Sequence, residues 1–173
     1  EILSRVLVKN KYEVGLLTSP HLVKFNERIR INNENIDDSE MLNCIEEVDK
    51  LKDSKELNFY QIIAAAAFLF FSKKKLDVWI LEVGLGGRLD PANYFDADIS
   101  VITKIALDHE NILGKGVENI GREKAGIFRT NQTVIFGEGS IPNSVLKIVE
   151  KLNVDLHKVC LLYTSPSPRD SRR

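Results

Sequence analysis

The sequence predicts an α/β fold, in which a mostly parallel sheet is flanked by helices. Strand-like segments alternate along the chain with segments whose apolar residues recur at helical spacing, and this order indicates parallel pairing. Residues 77–83 and 98–103 are nearly continuous in apolar residues, which is typical of strands covered on both faces. The 173 residues are 43% hydrophobic and 28% charged, as in a globular domain and unlike a disordered chain.

The first elements follow from spacing and from turn residues. Residues 1–10 are predicted to be helical, because their apolar positions share one face. Residues 12–18 form a short apolar run that predicts a strand, and Pro20 ends it because proline disfavours helix at the residue before it. Residues 28–32 alternate polar and apolar, so a second strand is expected before a turn at Asn32 and Asn33.

Two helices are predicted in the middle of the chain. Asp38 and Ser39 are suitable caps for a helix that runs to about Lys52. Asn58 is a suitable cap for a second helix, which runs from Phe59 to about Lys74. The apolar face of the first helix is expected to consist of Met41, Leu42, Ile45 and Val48.

The remaining elements continue the alternation. Strands are expected at residues 77–83, 98–103 and 133–136, and helices at residues 117–128 and 141–152. The length suggests roughly one domain.

The two ends of the sequence differ from the rest. No capping residue precedes the first predicted helix, which indicates a truncated start. Residues 158–173 lose all periodicity and gain proline and arginine. We expect this segment to be unrelated to residues 1–157, either as a disordered tail or as an artefact of sequence assembly.

Composition and charge exclude several classes of protein. The net charge of −1 gives no positive field for nucleic acid or for an anionic membrane surface. The longest apolar run, residues 62–71, is about ten residues, too short to cross a bilayer. Cys44 and Cys160 form neither a disulfide framework nor a CxxC motif, which is typical of the reducing cytoplasm. Collagen, coiled-coil, zinc-ribbon, disulfide-rich and membrane proteins are excluded.

Polar residues follow several of the predicted strands. Ser19 follows the first strand, Glu82 ends the strand at residues 77–83, and His109 comes soon after residues 98–103. Lys124 lies in the next predicted helix. Ligands of open α/β sheets bind beyond the carboxyl ends of the strands, so we expect these groups to meet at one sheet edge.

Each of these residues also has a structural interpretation. Burying Glu82 in an apolar strand requires a partner, and either Arg88 or a cation fits that requirement. The three glycines that follow Glu82 are typical of a tight turn, and they form neither the dinucleotide-binding fingerprint nor a P-loop. Taken together, however, the oxygen ligands and cationic groups are typical of a site for Mg²⁺ and phosphate.

Four segments resemble the signature segments of one enzyme family. Residues 15–31, 81–93, 105–114 and 120–128 are similar, in order and spacing, to segments of the folylpolyglutamate synthase/dihydrofolate synthase family within the Mur ligase superfamily. The resemblance covers residues 1–157. It departs from the family pattern at Pro91, where alanine is common, and at Ala92, where threonine is common.

The resemblance implies a fold and an activity. Residues 1–157 would be part of a central ATP-binding domain with a P-loop NTPase-like sheet. The activity would be ATP-dependent ligation of L-glutamate to a folate or dihydropteroate carboxylate, through an acyl phosphate. The implied partners are these small molecules, with no nucleic acid or membrane, and the family suggests a cytoplasmic monomer.

The resemblance also assigns roles to residues. It implies that Lys124 is carbamylated, which turns an amine into a carboxylate able to bind Mg²⁺, and that Lys124 and His109 are catalytic. The implied metal ligands are Ser19, Glu82, His109 and Lys124. The implied ATP-binding residues are Ser19, Gly84, Gly86, Gly87 and Arg88, and the implied substrate-binding residues are Pro20, His21, Phe25 and Arg28.

The family also has parts that these residues do not match. Its P-loop is expected just before residue 1, and its C-terminal domain beyond about residue 157, so we expect the 173-residue chain alone to be inactive. Two alternatives stay open: another Mur-type ligase acting on a cell-wall precursor, and a non-catalytic binding module without a P-loop. The motifs at residues 18–21 and 25–28 favour the folate ligase.

Overall fold

The computed structural model describes residues 1–159, which belong to two compact units. The first unit is Glu1–Phe95, and the second begins at Asp96. Helices alternate with strands in both, and the predicted α/β class is confirmed. Most of the segment expected to be an unrelated tail, residues 160–173, lies outside the described residues.

The first unit contains one mixed sheet of four strands in the order β3-β2-β1-β4. Strands β1 and β4 are parallel, with Leu17 opposite Leu81, whereas β2 is antiparallel to both β1 and β3. Its elements are α1 (Ile2–Lys9), β1 (Val14–Leu17), a 3₁₀ helix (Phe25–Arg28), β2 (Ile29–Ile31), β3 (Glu34–Asn35), α2 (Asp38–Leu51), α3 (Phe59–Ser72), β4 (Val78–Leu81) and a second 3₁₀ helix (Pro91–Tyr94).

The two long helices of this unit begin at capping residues. Asn58 caps α3 as predicted, since its side chain accepts a hydrogen bond from the N–H of Gln61, whose side chain reaches back to the backbone of Asn58. The predicted cap of α2 is wrong by one residue. Asp37 has the extended backbone of an N-cap and accepts a 2.9 Å hydrogen bond from the N–H of Glu40.

The core of the first unit lies between the sheet and these helices. All four residues of β1 are buried, and the small side chains of Ala64, Ala66 and Ala67 let α3 pack closely. The buried stripe of α2 is Met41, Cys44 and Val48, whereas Leu42 is 56% exposed, contrary to the prediction. Leu42 is about 100° around the helix from Met41, so it turns away from that stripe.

Strand β4 differs from the expected central strand. Its four residues are only partly buried, and within residues 1–159 it is the edge strand of its sheet. The apolar pattern identified a strand, but the partners of a strand depend on residues distant in sequence.

The second unit is built on a parallel sheet in the order β5-β6-β7. Its core contains Ile102, Ala125, Phe128, Val134, Phe136 and Val145. Strand β7 was not predicted, because its sequence, Asp-Leu-His-Lys, has a single apolar residue. The elements are β5 (Ile99–Lys104), α4 (Glu110–Leu113), α5 (Val117–Ala125), β6 (Thr133–Glu138), α6 (Asn143–Leu152) and β7 (Asp155–Lys158).

Within residues 1–159 the seven strands form two sheets, whereas the alternation of elements suggested one. A strand–helix alternation predicts parallel pairing but does not say which strands are neighbours. The reason is that the pattern of apolar side chains indicates which segments are buried, and not which strands pair with one another. In the part of the chain that the structure describes, no helix has the length and apolar character that a membrane span requires.

Candidate active site

The parallel pair β1 and β4 places the residues that follow each strand side by side. The N–H of Glu82 donates a 3.0 Å hydrogen bond to the carbonyl oxygen of Leu17, which extends the ladder by one residue. The Glu82 carboxylate accepts hydrogen bonds from the Thr18 hydroxyl and, at 2.9 Å, from the N–H of Ser19. The predicted proximity of Ser19 and Glu82 is therefore present in the structure.

The predicted burial of Glu82 is wrong. The residue is exposed at the end of β4, so its carboxylate does not need a charged partner to offset desolvation. Its hydrogen bonds come from Thr18 and Ser19. A carboxylate beside two hydroxyl-bearing residues supplies the oxygen donors that Mg²⁺ and Mn²⁺ prefer, so this donor set fits a divalent cation.

Tyr60, a residue that the sequence did not single out, supports this strand end from α3. Its hydroxyl donates a 2.8 Å hydrogen bond to the carbonyl oxygen of Glu82. Burial, with a smaller effect of the Asp90 and Glu82 carboxylates, raises the pKa of the Tyr60 phenol. A tyrosine at the start of an apolar helix gives no signal of this role, because the contact spans 22 residues of sequence.

The glycine-containing segment after β4 is organised by Asp90. Its carboxylate accepts hydrogen bonds from the N–H groups of Gly84 and Leu85, both at 3.0 Å, and from that of Ala92 at 2.9 Å. Asp90 is 8% exposed, and it caps the 3₁₀ helix Pro91–Tyr94. The sequence placed Asp90 inside a family motif but gave it no role.

The three glycines of this loop differ in conformation and surroundings. Gly86 has a φ of 69°, which is the left-handed region that favours glycine. A Cβ on Gly84 would lie 2.8 Å from the ring of Tyr60, so the close approach of that ring requires glycine. Gly87 is buried, whereas Arg88 is exposed and its carbonyl oxygen accepts a 3.1 Å hydrogen bond from the side chain of Asn93.

The predicted substrate residues cluster around the 3₁₀ helix Phe25–Arg28. The Nε of Arg28 donates a 3.0 Å hydrogen bond to Nδ1 of His21, and the two residues come from the two ends of one loop. The Arg28 guanidinium lies 5.6 Å from the ring centroid of Phe25 and 5.4 Å from that of Phe59. Phe59, at the start of α3, is the member of this cluster that the sequence missed. Pro20 is exposed, directly before His21.

His109 and Lys124 lie in the second unit. His109 is the residue before α4, with a left-handed φ of 51°, and its ring nitrogen Nε2 is 3.5 Å from the Asp108 carboxylate. Lys124 lies in the last turn of α5, which packs against α4, and it is partly exposed. Cationic residues are favourable there because the helix C-terminus carries partial negative charge.

The predicted site residues are thus distributed over both units. The first unit brings Ser19 to Glu82, and brings His21, Phe25 and Arg28 together. Among residues 1–159, no group of three or more histidine, cysteine, aspartate and glutamate side chains is arranged to hold a metal ion.

The sequence is similar to curated dihydrofolate and folylpolyglutamate synthases. It is 42% identical over 158 residues to the dihydrofolate synthase/folylpolyglutamate synthase of Buchnera aphidicola, covering 91% of this chain and 38% of that protein. The corresponding Escherichia coli protein is 40% identical over 149 residues, covering 86% and 35%. The folylpolyglutamate synthase of Lacticaseibacillus casei is 31% identical, covering 87% and 36%. No family model matches the chain.

Solved structures agree with these similarities. FolC of E. coli in complex with DHPP and ADP superimposes with a TM-score of 0.87 at 39% identity, over 90% of this chain and 38% of that chain. The chain belongs to the folylpolyglutamate synthase/dihydrofolate synthase family. The bifunctional synthase of Yersinia pestis complexed with AMPPNP and Mn gives a TM-score of 0.85 at 38% identity, again over 90% of this chain and 38% of that chain.

The chain spans a little over a third of the length of the curated relatives that it matches. The matched region carries all of the site residues described above.

Proposed function

We propose that this chain forms part of an ATP-dependent ligase that joins L-glutamate to the carboxylate of a folate or a dihydropteroate. The observation that carries the proposal is the oxygen cluster of Thr18, Ser19 and Glu82 at the ends of two parallel strands. Similarity to relatives named dihydrofolate synthase/folylpolyglutamate synthase supports it, as do related structures that contain ADP, AMPPNP, Mn or L-glutamate.

The chemistry requires activation of the substrate carboxylate. A carboxylate is a poor acyl donor, so ATP transfers its terminal phosphoryl group to a carboxylate oxygen, giving an acyl phosphate and ADP. The glutamate amine then attacks the acyl carbon, an amide C–N bond forms, and the C–O bond to phosphate breaks. Inorganic phosphate and the amine proton leave.

The residues of this chain would hold the reactants. Ser19, Glu82 and His109 would bind Mg²⁺, which neutralises phosphate charge during phosphoryl transfer. The loop with Gly84, Gly86, Gly87 and Arg88 would contact the nucleotide, chiefly through the Arg88 guanidinium, which suits phosphate oxygens, because the Gly84 amide donates to Asp90.

The cluster around Arg28 would receive the pterin-bearing substrate. Arg28 lies against the rings of Phe25 and Phe59 and bonds to His21, so its side chain is held in one orientation. An aromatic substrate could extend this arrangement, and Pro20 would border it. Holding the substrate in this way lowers the entropy cost of bringing its carboxylate to ATP.

Carbamylation of Lys124 is a separate part of the proposal. Addition of CO₂ to the neutral amine forms an N–C bond and releases one N–H proton. The resulting carbamate has oxygen ligands for a second Mg²⁺, where an ammonium would repel the ion. Incubation with ¹³C-bicarbonate should give a carbamate carbon signal in the NMR spectrum, and Lys124→Arg should remove it. A signal that persists in the variant would place the modification elsewhere.

We also infer that the protein acts in the cytoplasm as a monomer. The two cysteines without a disulfide framework support the compartment, and the family resemblance suggests the monomer.

A chimera tests the proposed activity. Residues 1–157 of this chain would replace the matching segment of the E. coli relative, and ADP release would be measured with dihydropteroate and L-glutamate. We expect ADP release that depends on both compounds and that Glu82→Ala abolishes. A folded chimera that releases ADP without either compound, or that accepts only a muramyl precursor, would overturn the proposal.

A further inference from the structure

One carboxylate holds the backbone of the loop between β1 and the first 3₁₀ helix. Glu27 accepts hydrogen bonds from three consecutive N–H groups: those of Lys24 at 2.7 Å, Leu22 at 2.8 Å and Val23 at 3.0 Å. Hydrogen bonds from these amides lower the pKa of Glu27 to about 2, and those from Lys24 and Leu22 have the largest effect. The side chain is therefore an anion that backbone donors surround.

Side-chain packing does not account for the order of this loop. Leu22 and Val23 are 87% and 84% exposed, and Lys24 is exposed as well. The Glu27 side chain, in contrast, is only 13% exposed, and Arg30 lies 3.7 Å from its Oε2. The loop backbone is therefore held by its hydrogen bonds to the Glu27 carboxylate, and the positive charge of Arg30 complements the negative charge of Glu27.

The loop separates the two halves of the proposed substrate cluster. Pro20 and His21 precede the three held amides, and Phe25 and Arg28 follow them. The 3.0 Å hydrogen bond from Arg28 to His21 closes this segment. A change in the backbone at residues 22–24 would therefore move His21 away from Arg28.

We propose that Glu27 is a positioning residue of the substrate site, which fixes His21 relative to Phe25 and Arg28 before the substrate binds. The proposal rests on the proposed function for the identity of the substrate. A loop already held in its binding conformation loses less conformational entropy on binding. Glu27 itself would not touch the substrate.

Amide hydrogen exchange in the 173-residue chain tests the loop directly. Glu27→Gln keeps the size of the side chain but replaces one acceptor oxygen with an NH₂ donor that faces backbone N–H groups. We expect the amides of residues 22–24 to exchange at least about tenfold faster, while amides of β1 are unchanged. Glu34→Gln is the matched control, since it removes the same charge from an exposed position of β3. Unchanged exchange at residues 22–24 in Glu27→Gln would overturn the proposal.

Steady-state kinetics of the chimera described above test the consequence for binding. Glu27→Gln should raise the KM for dihydropteroate about tenfold and leave kcat and the KM for ATP near those of the parent chimera. Equal KM values in the two chimeras would contradict the positioning role. If the parent chimera ligates nothing, the proposed function fails, and the exchange rates still decide whether Glu27 holds the loop.

Discussion

The hydroxyl of Tyr60 donates a hydrogen bond to the carbonyl oxygen of Glu82, at 2.8 Å. The ring of the same tyrosine fills the space beside Gly84. The Tyr60 side chain of α3 therefore holds the backbone of Glu82, the candidate metal ligand. It also contacts Gly84, at the start of the glycine-containing loop. This contact links the packing of the first unit to the geometry of its candidate site.

Replacing Tyr60 with phenylalanine should lower the free energy of unfolding by about 1 kcal/mol, because the Glu82 carbonyl loses its side-chain donor. Chemical denaturation of the 173-residue chain measures this change. Tyr12→Phe is the control, since Tyr12 is 48% exposed. An equal loss in both variants would show that the hydrogen bond contributes nothing.

The same tyrosine predicts a dependence of stability on high pH. Burial raises the pKa of Tyr60 in the folded chain above the usual 10.0, so the unfolded state loses its proton first. This contribution to stability is complete below pH 10 and is lost as the pH rises above that value. Absorbance of phenolate near 295 nm should show one tyrosine that resists ionisation in the folded chain, and Tyr60→Phe should remove it.

Gly84→Ala should destabilise the first unit by about 1–3 kcal/mol, the usual cost of inserting a methyl group into a packed site. The added Cβ would lie 2.8 Å from the Tyr60 ring. In a Tyr60→Ala background the same change should cost much less, because the clashing ring is absent. Additive losses in this double-mutant cycle, measured by denaturation, would contradict the steric explanation.

Asp90→Asn should disorder the glycine-containing loop and cost about 1–3 kcal/mol of unfolding free energy. The asparagine NH₂ group cannot accept the two N–H donors of Gly84 and Leu85 that Oδ2 accepts. The measurement is denaturation together with the NMR shifts of those two amides. Asp53→Asn, in an exposed turn, is the control and should leave both unchanged.

Glu118 should make the second unit sensitive to acid. The N–H groups of Ser144, at 2.7 Å, and Asn143, at 3.1 Å, donate to its carboxylate and lower its pKa from the usual 4.5. The stabilisation is therefore present above pH 4.5 and is lost as the pH falls below it, toward the lower folded value. Thermal melts between pH 7 and pH 3 should show a smaller decrease of Tm in Glu118→Gln. Glu150→Gln, in α6 but at the other end of that helix from Asn143 and Ser144, should retain the full decrease.

Glu82→Ala should abolish ligation in the chimera and leave the Tm of the 173-residue chain nearly unchanged. The reason is that Glu82 is exposed and contributes donor oxygens, whereas little packing depends on it. Binding of Mn²⁺, followed by its paramagnetic resonance signal, should weaken in parallel. Activity above a few per cent of the parent chimera would refute a metal-binding role.

The sequence by itself determined the α/β class, most helix and strand positions, the Asn58 cap and the family segments, because these depend on residues near one another in the chain. Strands β1 and β7 show how far local sequence can predict a strand. Strand β1 is recognisable from its own apolar run, whereas β7 has one apolar residue and exists through pairing with β6.

Only the tertiary structure decided which residues support the site. Tyr60 reaches Glu82 and Gly84, Phe59 reaches Arg28, and Asp90 binds the loop amides, although nothing in their local sequence distinguishes them. The three-dimensional structure also decided that Glu82 is exposed and that the strands form two sheets in the described residues. The physical reason is that apolar pattern reports how deeply a segment is buried, whereas hydrogen-bond partners and contacts are set by residues that are distant along the chain.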